Sequence, residues 1–176
     1  MSRRFLLRQR TAAAHAAVDA AVGSFTDLGS YRAYLRALYA FRAPIEAQIG
    51  WAWPGSASGW IPSTICDFIL EDMGELGMSQ DVAGEASAPL EGDELLGALY
   101  VLEGSTLGAR ILLRRAEALG LSATYGARHL NHLAGNIDGW RGFLSLLEQA
   151  EPFDLERAVE ASLAAFDAAQ VAFQAR

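Results

Sequence analysis

The longest run of helical periodicity lies between Gly92 and Leu119, and it carries three glycines on one face. Gly97, Gly104 and Gly108 stand at i, i+7 and i+11, which aligns them on a helix. Each glycine inside a helix costs about 0.5–1 kcal/mol relative to alanine. Three on one face of an otherwise strong helix require that something approach the backbone more closely than a Cβ permits. A neighbouring helix packed through small residues, a flat ligand lying on the glycines, or a bend would each meet that requirement. Glu103 and Arg110 fall in mid-segment and argue against a membrane span.

The rest of the chain reads as helix too. Alanine and leucine dominate, prolines number five, and β-branched residues are sparse. Expected helices run from about Arg3 to Val22, from the Asp27–Ser30 region to Ile49 with Ser30 as N-cap, and from Ser63 to Gly77. Further helices are expected around Tyr125–Leu133, Ile137–Gln149 and Asp154–Gln174, the last capped by Asp154. Pro44 predicts a kink or break in the second helix. Glycine, proline and serine mark Trp51–Trp60 as a loop whose tryptophans pack onto the bundle, and Met78–Pro89 reads as a polar connection. The expected architecture is one all-α domain over residues 1–176, a helical bundle of about seven helices.

Charge and cysteine content narrow the partners. The net charge is −7 and the sequence pI about 4.9, which argues against nucleic acid. All fourteen basic residues are arginine, so an anionic ligand would be held by guanidinium forks suited to carboxylates. The one cysteine, Cys66, fits a reducing compartment and core packing. Met1–Arg8 has too short an apolar stretch for a signal peptide, and no uninterrupted apolar run approaches a membrane span. The expected compartment is the cytoplasm, with no membrane partner.

On the first helix, Thr11, His15 and Asp19 share a face, with alanines around the histidine leaving room beside it. A lone helical histidine is most often a satisfied core or surface residue; the alternative is axial ligation of a metal or haem iron through a neutral imidazole. Arg8, two turns earlier on roughly the same side, could reach a carboxylate on the edge of a planar ligand. His129 and His132 form an HxxH pair without a third ligand at suitable spacing, so surface or capping roles are expected for both.

Two segments together resemble the haem oxygenase family, specifically its bacterial, biliverdin-producing branch. LRQRTAAAHAAVD, Leu7 to Asp19, looks like the proximal helix bearing the haem-ligating histidine. YVLEGSTLGARIL, Tyr100 to Leu112, looks like the kinked distal helix over the haem. Weaker echoes occur at Tyr31–Glu46, at Trp140–Phe143 and in the final helix, in family order.

The resemblance implies that His15 is the proximal iron ligand and that Gly104 and Gly108 lie bare against the haem face. It implies that Arg8 and Tyr100 contact the haem propionates, with Arg128 and Arg141 as further candidates. Asp19 would join the distal hydrogen-bond and water network. Ser105 stands where animal-type members carry an aspartate, and Ala109, in place of a third glycine, should narrow the pocket. The implied reaction converts haem, both substrate and cofactor, to biliverdin, carbon monoxide and ferrous iron. It uses O2 and electrons from an external reductase or ferredoxin, so haem and an electron-donor protein are the expected partners. A haem-binding carrier or sensor on the same fold is the alternative.

Overall fold

Helices alone supply the regular structure of the computed structural model, which describes residues 1–52, 59–79 and 88–175. They are α1 (Arg3–Val22), α2 (Leu28–Ala52), α3 (Cys66–Glu75), α4 (Gly92–Gly104), α5 (Thr106–Glu117), α6 (Arg128–Gly135), α7 (Ile137–Gln149) and α8 (Leu155–Gln174). The all-α expectation holds. The extra helix arises because the single helix expected from Gly92 to Leu119 is interrupted at Ser105, giving α4 and α5.

The other boundaries move for reasons found in the tertiary structure. Asp27, not Ser30, caps α2: its Oδ1 accepts the Ser30 N–H at 2.7 Å, and Ser30 Oγ accepts the Asp27 N–H at 3.1 Å. The helix then passes through Pro44 without a break, held on either side by buried Phe41, Arg42, Ile45 and Glu46. α3 starts at Cys66 because the Ile65 and Cys66 N–H groups bond the Glu46 carboxylate and the Ser63 N–H bonds Glu103. α6 starts at Arg128 because the Asp72 carboxylate, from α3, accepts the Arg128 and His129 N–H groups. Asp154 caps α8 as expected, accepting from Glu156 and Arg157.

Of the tryptophans expected to pack down from the loop, Trp51 and Trp53 lie outside the described side chains. Trp60 does pack, donating from Nε1 to the Gly139 carbonyl at 2.8 Å and meeting the Phe143 ring. The Met78–Pro89 connection lies mostly outside the described residues.

α8 is the floor of the bundle, laid along α4 on one side and α1 on the other. Gly97 explains how α4 gets so close. A Cβ there would lie 2.2 Å from the Ala158 carbonyl oxygen, and Ser162 Oγ donates to the Gly97 carbonyl at 2.8 Å. By length and composition Gly92–Glu117 is apolar enough to cross a bilayer; half of its most apolar window is buried inside the bundle, as suits a core helix.

Gly97→Ala is therefore expected to destabilise the fold. Overpacking costs about 1–3 kcal/mol or more, and the helix-propensity gain of alanine returns only about 1 kcal/mol. Urea titration should show a net loss of about 2 kcal/mol. An unchanged or higher midpoint would refute this account of the α4–α8 contact.

His129 departs from the surface role expected of it. It is fully buried, with Nδ1 2.7 Å from Asp72 Oδ2 and Nε2 3.4 Å from the Tyr34 hydroxyl. Asp72, also fully buried, supplies the partner that makes this burial tolerable. His132 instead lies over Phe68, with Nε2 3.4 Å from Ser63 Oγ.

Burial lowers the His129 pKa below its ordinary 6.5, assisted by Arg42 and opposed by Asp72. Since the unfolded chain takes up this proton first, the stabilisation is present above about pH 6.5 and is lost as pH falls toward the folded value. Denaturation measured between about pH 7 and 5.5 should show stability falling more steeply in the wild type than in His129→Gln. Parallel slopes would remove His129 from the acid response.

Candidate functional site

The three aligned glycines serve two different purposes. Gly97 is consumed by helix packing, as described above. Gly108 faces open space, with no atom within 4 Å of where its Cβ would be, and Gly104 meets only the Trp140 ring, at 3.9 Å. Leu107 and Ile111 on the same helix are 53% and 57% exposed. This leaves a strip of bare backbone flanked by accessible apolar side chains, a surface suited to a flat apolar partner.

The break at Ser105 sits inside this strip. Ser105 Oγ donates to the Leu102 carbonyl at 2.6 Å, so the hydroxyl is turned onto its own helix. Ala109 does not narrow the strip: it is buried and its methyl belongs to the core.

On α1, the His15 side chain is 60% exposed and its Nδ1 lies 3.1 Å from Asp19 Oδ2. The ring packs edge-on against Phe166 of α8, with centroids 5.6 Å apart. Carboxylate and aromatic ring together orient the imidazole. With Nδ1 turned toward Asp19, Nε2 on the far side of the ring is the atom able to bind a metal. Asp19 lies beside the imidazole of its own helix. The reason is local, since positions i and i+4 of one helix meet.

Tyr100 of α4 is half-buried; burial raises its pKa, while Arg4, Thr11 and Arg8, all of α1, pull it down. Arg4 lies over the Trp140 ring, 5.8 Å from its centroid, and the Trp140 and Tyr100 rings are 6.0 Å apart. Arg8 thus lies within electrostatic range of Tyr100, and two residues that sequence reasoning missed, Arg4 and Trp140, stand beside it. The Trp140–Phe143 echo was the only signal pointing to Trp140.

The remaining arginine candidates go elsewhere. Arg141 forms an exposed pair with Asp138 at 3.0 Å. Arg128 is engaged by Glu75, Glu71 and Asp72.

Known proteins share this architecture. The chain is 31% identical over 135 residues to Heme oxygenase PigA of Pseudomonas aeruginosa, an alignment covering 72% of this chain and 66% of that protein, just under two thirds. It is 30% identical over 124 residues to a heme oxygenase of Xanthomonas campestris pv. campestris, covering 70% of this chain and 74% of that one. The chain belongs to the haem oxygenase family.

The same relationship appears in three dimensions. The NO- and CO-bound heme oxygenase of Neisseria meningitidis superposes with a TM-score of 0.82, at 25% identity, over 99% of this chain and 92% of that one. No protein-family model matches the chain.

The site residues of this haem oxygenase family member fit a haem. Open space over Gly108 leaves room for a planar ring against bare backbone. His15 offers an exposed ring nitrogen, and Arg4, Arg8 and Tyr100 offer cationic and hydroxyl donors for carboxylates. Cys66 is a poor rival ligand, because burial and the nearby Glu46 carboxylate push its thiol pKa far up and disfavour the thiolate.

Proposed function

We propose that this protein binds haem between α1 and the α4–α5 break and opens it to biliverdin, releasing carbon monoxide and ferrous iron. The haem, when bound, supplies the oxygen chemistry, with O2 and electrons from an external donor protein. The chain's own part is ligation, orientation and exclusion.

His15 would hold the iron through Nε2, with Asp19 beside Nδ1 steadying the ring. Gly104 and Gly108 form a roof that leaves room above the iron, where bulkier residues would block the approach of oxygen to the ring edge. Arg8, Arg4 and Tyr100 anchor the propionates and so set the rotation of the ring in its slot. Trp140 backs Gly104 and closes that end of the strip.

One observation carries the reading. Gly108 opens onto free space and Gly104 meets only the Trp140 ring, while the α1 histidine keeps an exposed imidazole set beside a carboxylate.

Reconstitution with haem tests it. A histidine-type Soret band should appear and, on adding ascorbate or a ferredoxin-type reductant in air, decay with growth of bilin absorption. A stable oxygenated spectrum would make the protein a carrier, and no Soret shift at all would remove haem from the account.

A further inference from the structure

Arg42 of α2 is 1% exposed, the largest fully buried side chain among the described residues. A guanidinium so placed must have its charge and its donors met. Nε donates to Glu46 Oε1 at 2.7 Å, Nη2 to the Ser63 carbonyl at 2.9 Å, and Nη1 to the Leu102 carbonyl at 3.2 Å. The planar fork thus links α2, the segment before α3, and the last turn of α4.

The Leu102 contact falls at the break. In an uninterrupted helix this carbonyl would accept the N–H four residues on. Here it takes the Ser105 N–H at 3.3 Å, Ser105 Oγ at 2.6 Å, and the Arg42 guanidinium. A side chain inserted into the ladder is a recognised cause of helix bending. α5 then starts from the Ser105 carbonyl, which accepts the N–H groups of Gly108 and Ala109, both at 3.2 Å.

The next residue is held in the same cluster. Glu103 Oε1 accepts the Ser63 N–H at 2.6 Å, so Ser63 is gripped through both its N–H and its carbonyl. Two successive residues before Gly104 are therefore fastened to one buried ionic group.

We propose that Arg42 is a positioning residue: by drawing on the Leu102 carbonyl it sets the break that presents Gly104 and Gly108 to the haem. The inference rests on the haem reading above. It assigns Arg42 no contact with the ring. Its effect is transmitted through Leu102 and the first turn of α5, where small displacements of a roof alter reaction geometry.

The test begins without haem. Amide hydrogen exchange is measured on the full-length protein as wild type, Arg42→Lys, Glu46→Gln and the double variant Arg42→Met/Glu46→Gln. The double variant removes both charges together, avoiding a stranded one, and its glutamine can still accept from Ile65 and Cys66. Exchange at residues 104–109 should rise about tenfold or more in the double variant, with α1 and α8 unaffected. Arg42→Lys should be intermediate, since one ammonium cannot span three acceptors in a plane.

With haem bound, the double variant should shift the ferric Soret band and change the ratio of biliverdin isomers, while haem affinity changes less than about threefold. Unchanged exchange at 104–109 in a folded variant would overturn the proposal. So would a uniform rise across all helices, which marks lost stability alone. If the double variant fails to fold, Arg42→Lys decides by the same two patterns. Exchange needs no haem, so a wild type that shows no Soret shift would refute the functional reading while leaving the exchange result standing.

Discussion

Replacing His15 by alanine should abolish the histidine-type spectrum of the haem-loaded protein and lower bilin formation by more than about a hundredfold. Loss of a partner bonded only to a metal's ligand already costs about 10–100-fold, and here the ligand itself goes. The fold should survive. The side chain is 60% exposed, and alanine is the better helix former. Circular dichroism and the urea midpoint should therefore match the wild type, while adding imidazole to the variant should restore part of the ligation. Retention of wild-type ligation in His15→Ala would refute the proximal assignment outright.

Gly108→Phe should have a comparable effect on turnover from the opposite side of the slot. No atom lies within 4 Å of the Cβ position, so the ring has no packing to disturb. Phenylalanine also suits a helix interior better than glycine, by a few tenths of a kcal/mol. Its side chain would project into the open space over the strip, which the proposed reading gives to haem and oxygen. Bilin formation should fall by about a hundredfold or more, with a smaller loss of haem affinity, since an interaction made only on the way to product is the one removed. Equal turnover in wild type and variant would end the argument that the bare strip is a roof. Set beside Gly97→Ala, the pair separates two uses of glycine on the successive helices α4 and α5: one change should weaken the fold, the other only the chemistry.

Several misreadings share a cause. HxxH looked like a surface pair because nothing near it in sequence could satisfy a buried imidazole; its partner, Asp72, comes from α3. The Tyr125–Leu133 helix was placed too early because the group that starts it is the same distant carboxylate. Pro44 suggested a break, yet flanking side chains packed into the core hold α2 together.

Short-range signals in the chain were enough to show that it is helical and where most helices lie, and to single out His15 and the 104–108 stretch, on which the proposed haem site rests. Those are matters of short range: periodicity, capping residues, and the penalty on glycine within a helix act over a turn or two of chain. Only the tertiary structure decided that Gly97 meets the Ala158 carbonyl while Gly108 meets nothing, that Ala109 turns inward, and that Arg42 reaches across to the Leu102 carbonyl. Each of those outcomes depends on which backbone atoms arrive from a helix dozens of residues away, and the steric and hydrogen-bonding demands of a buried group are settled only once its neighbours are in place.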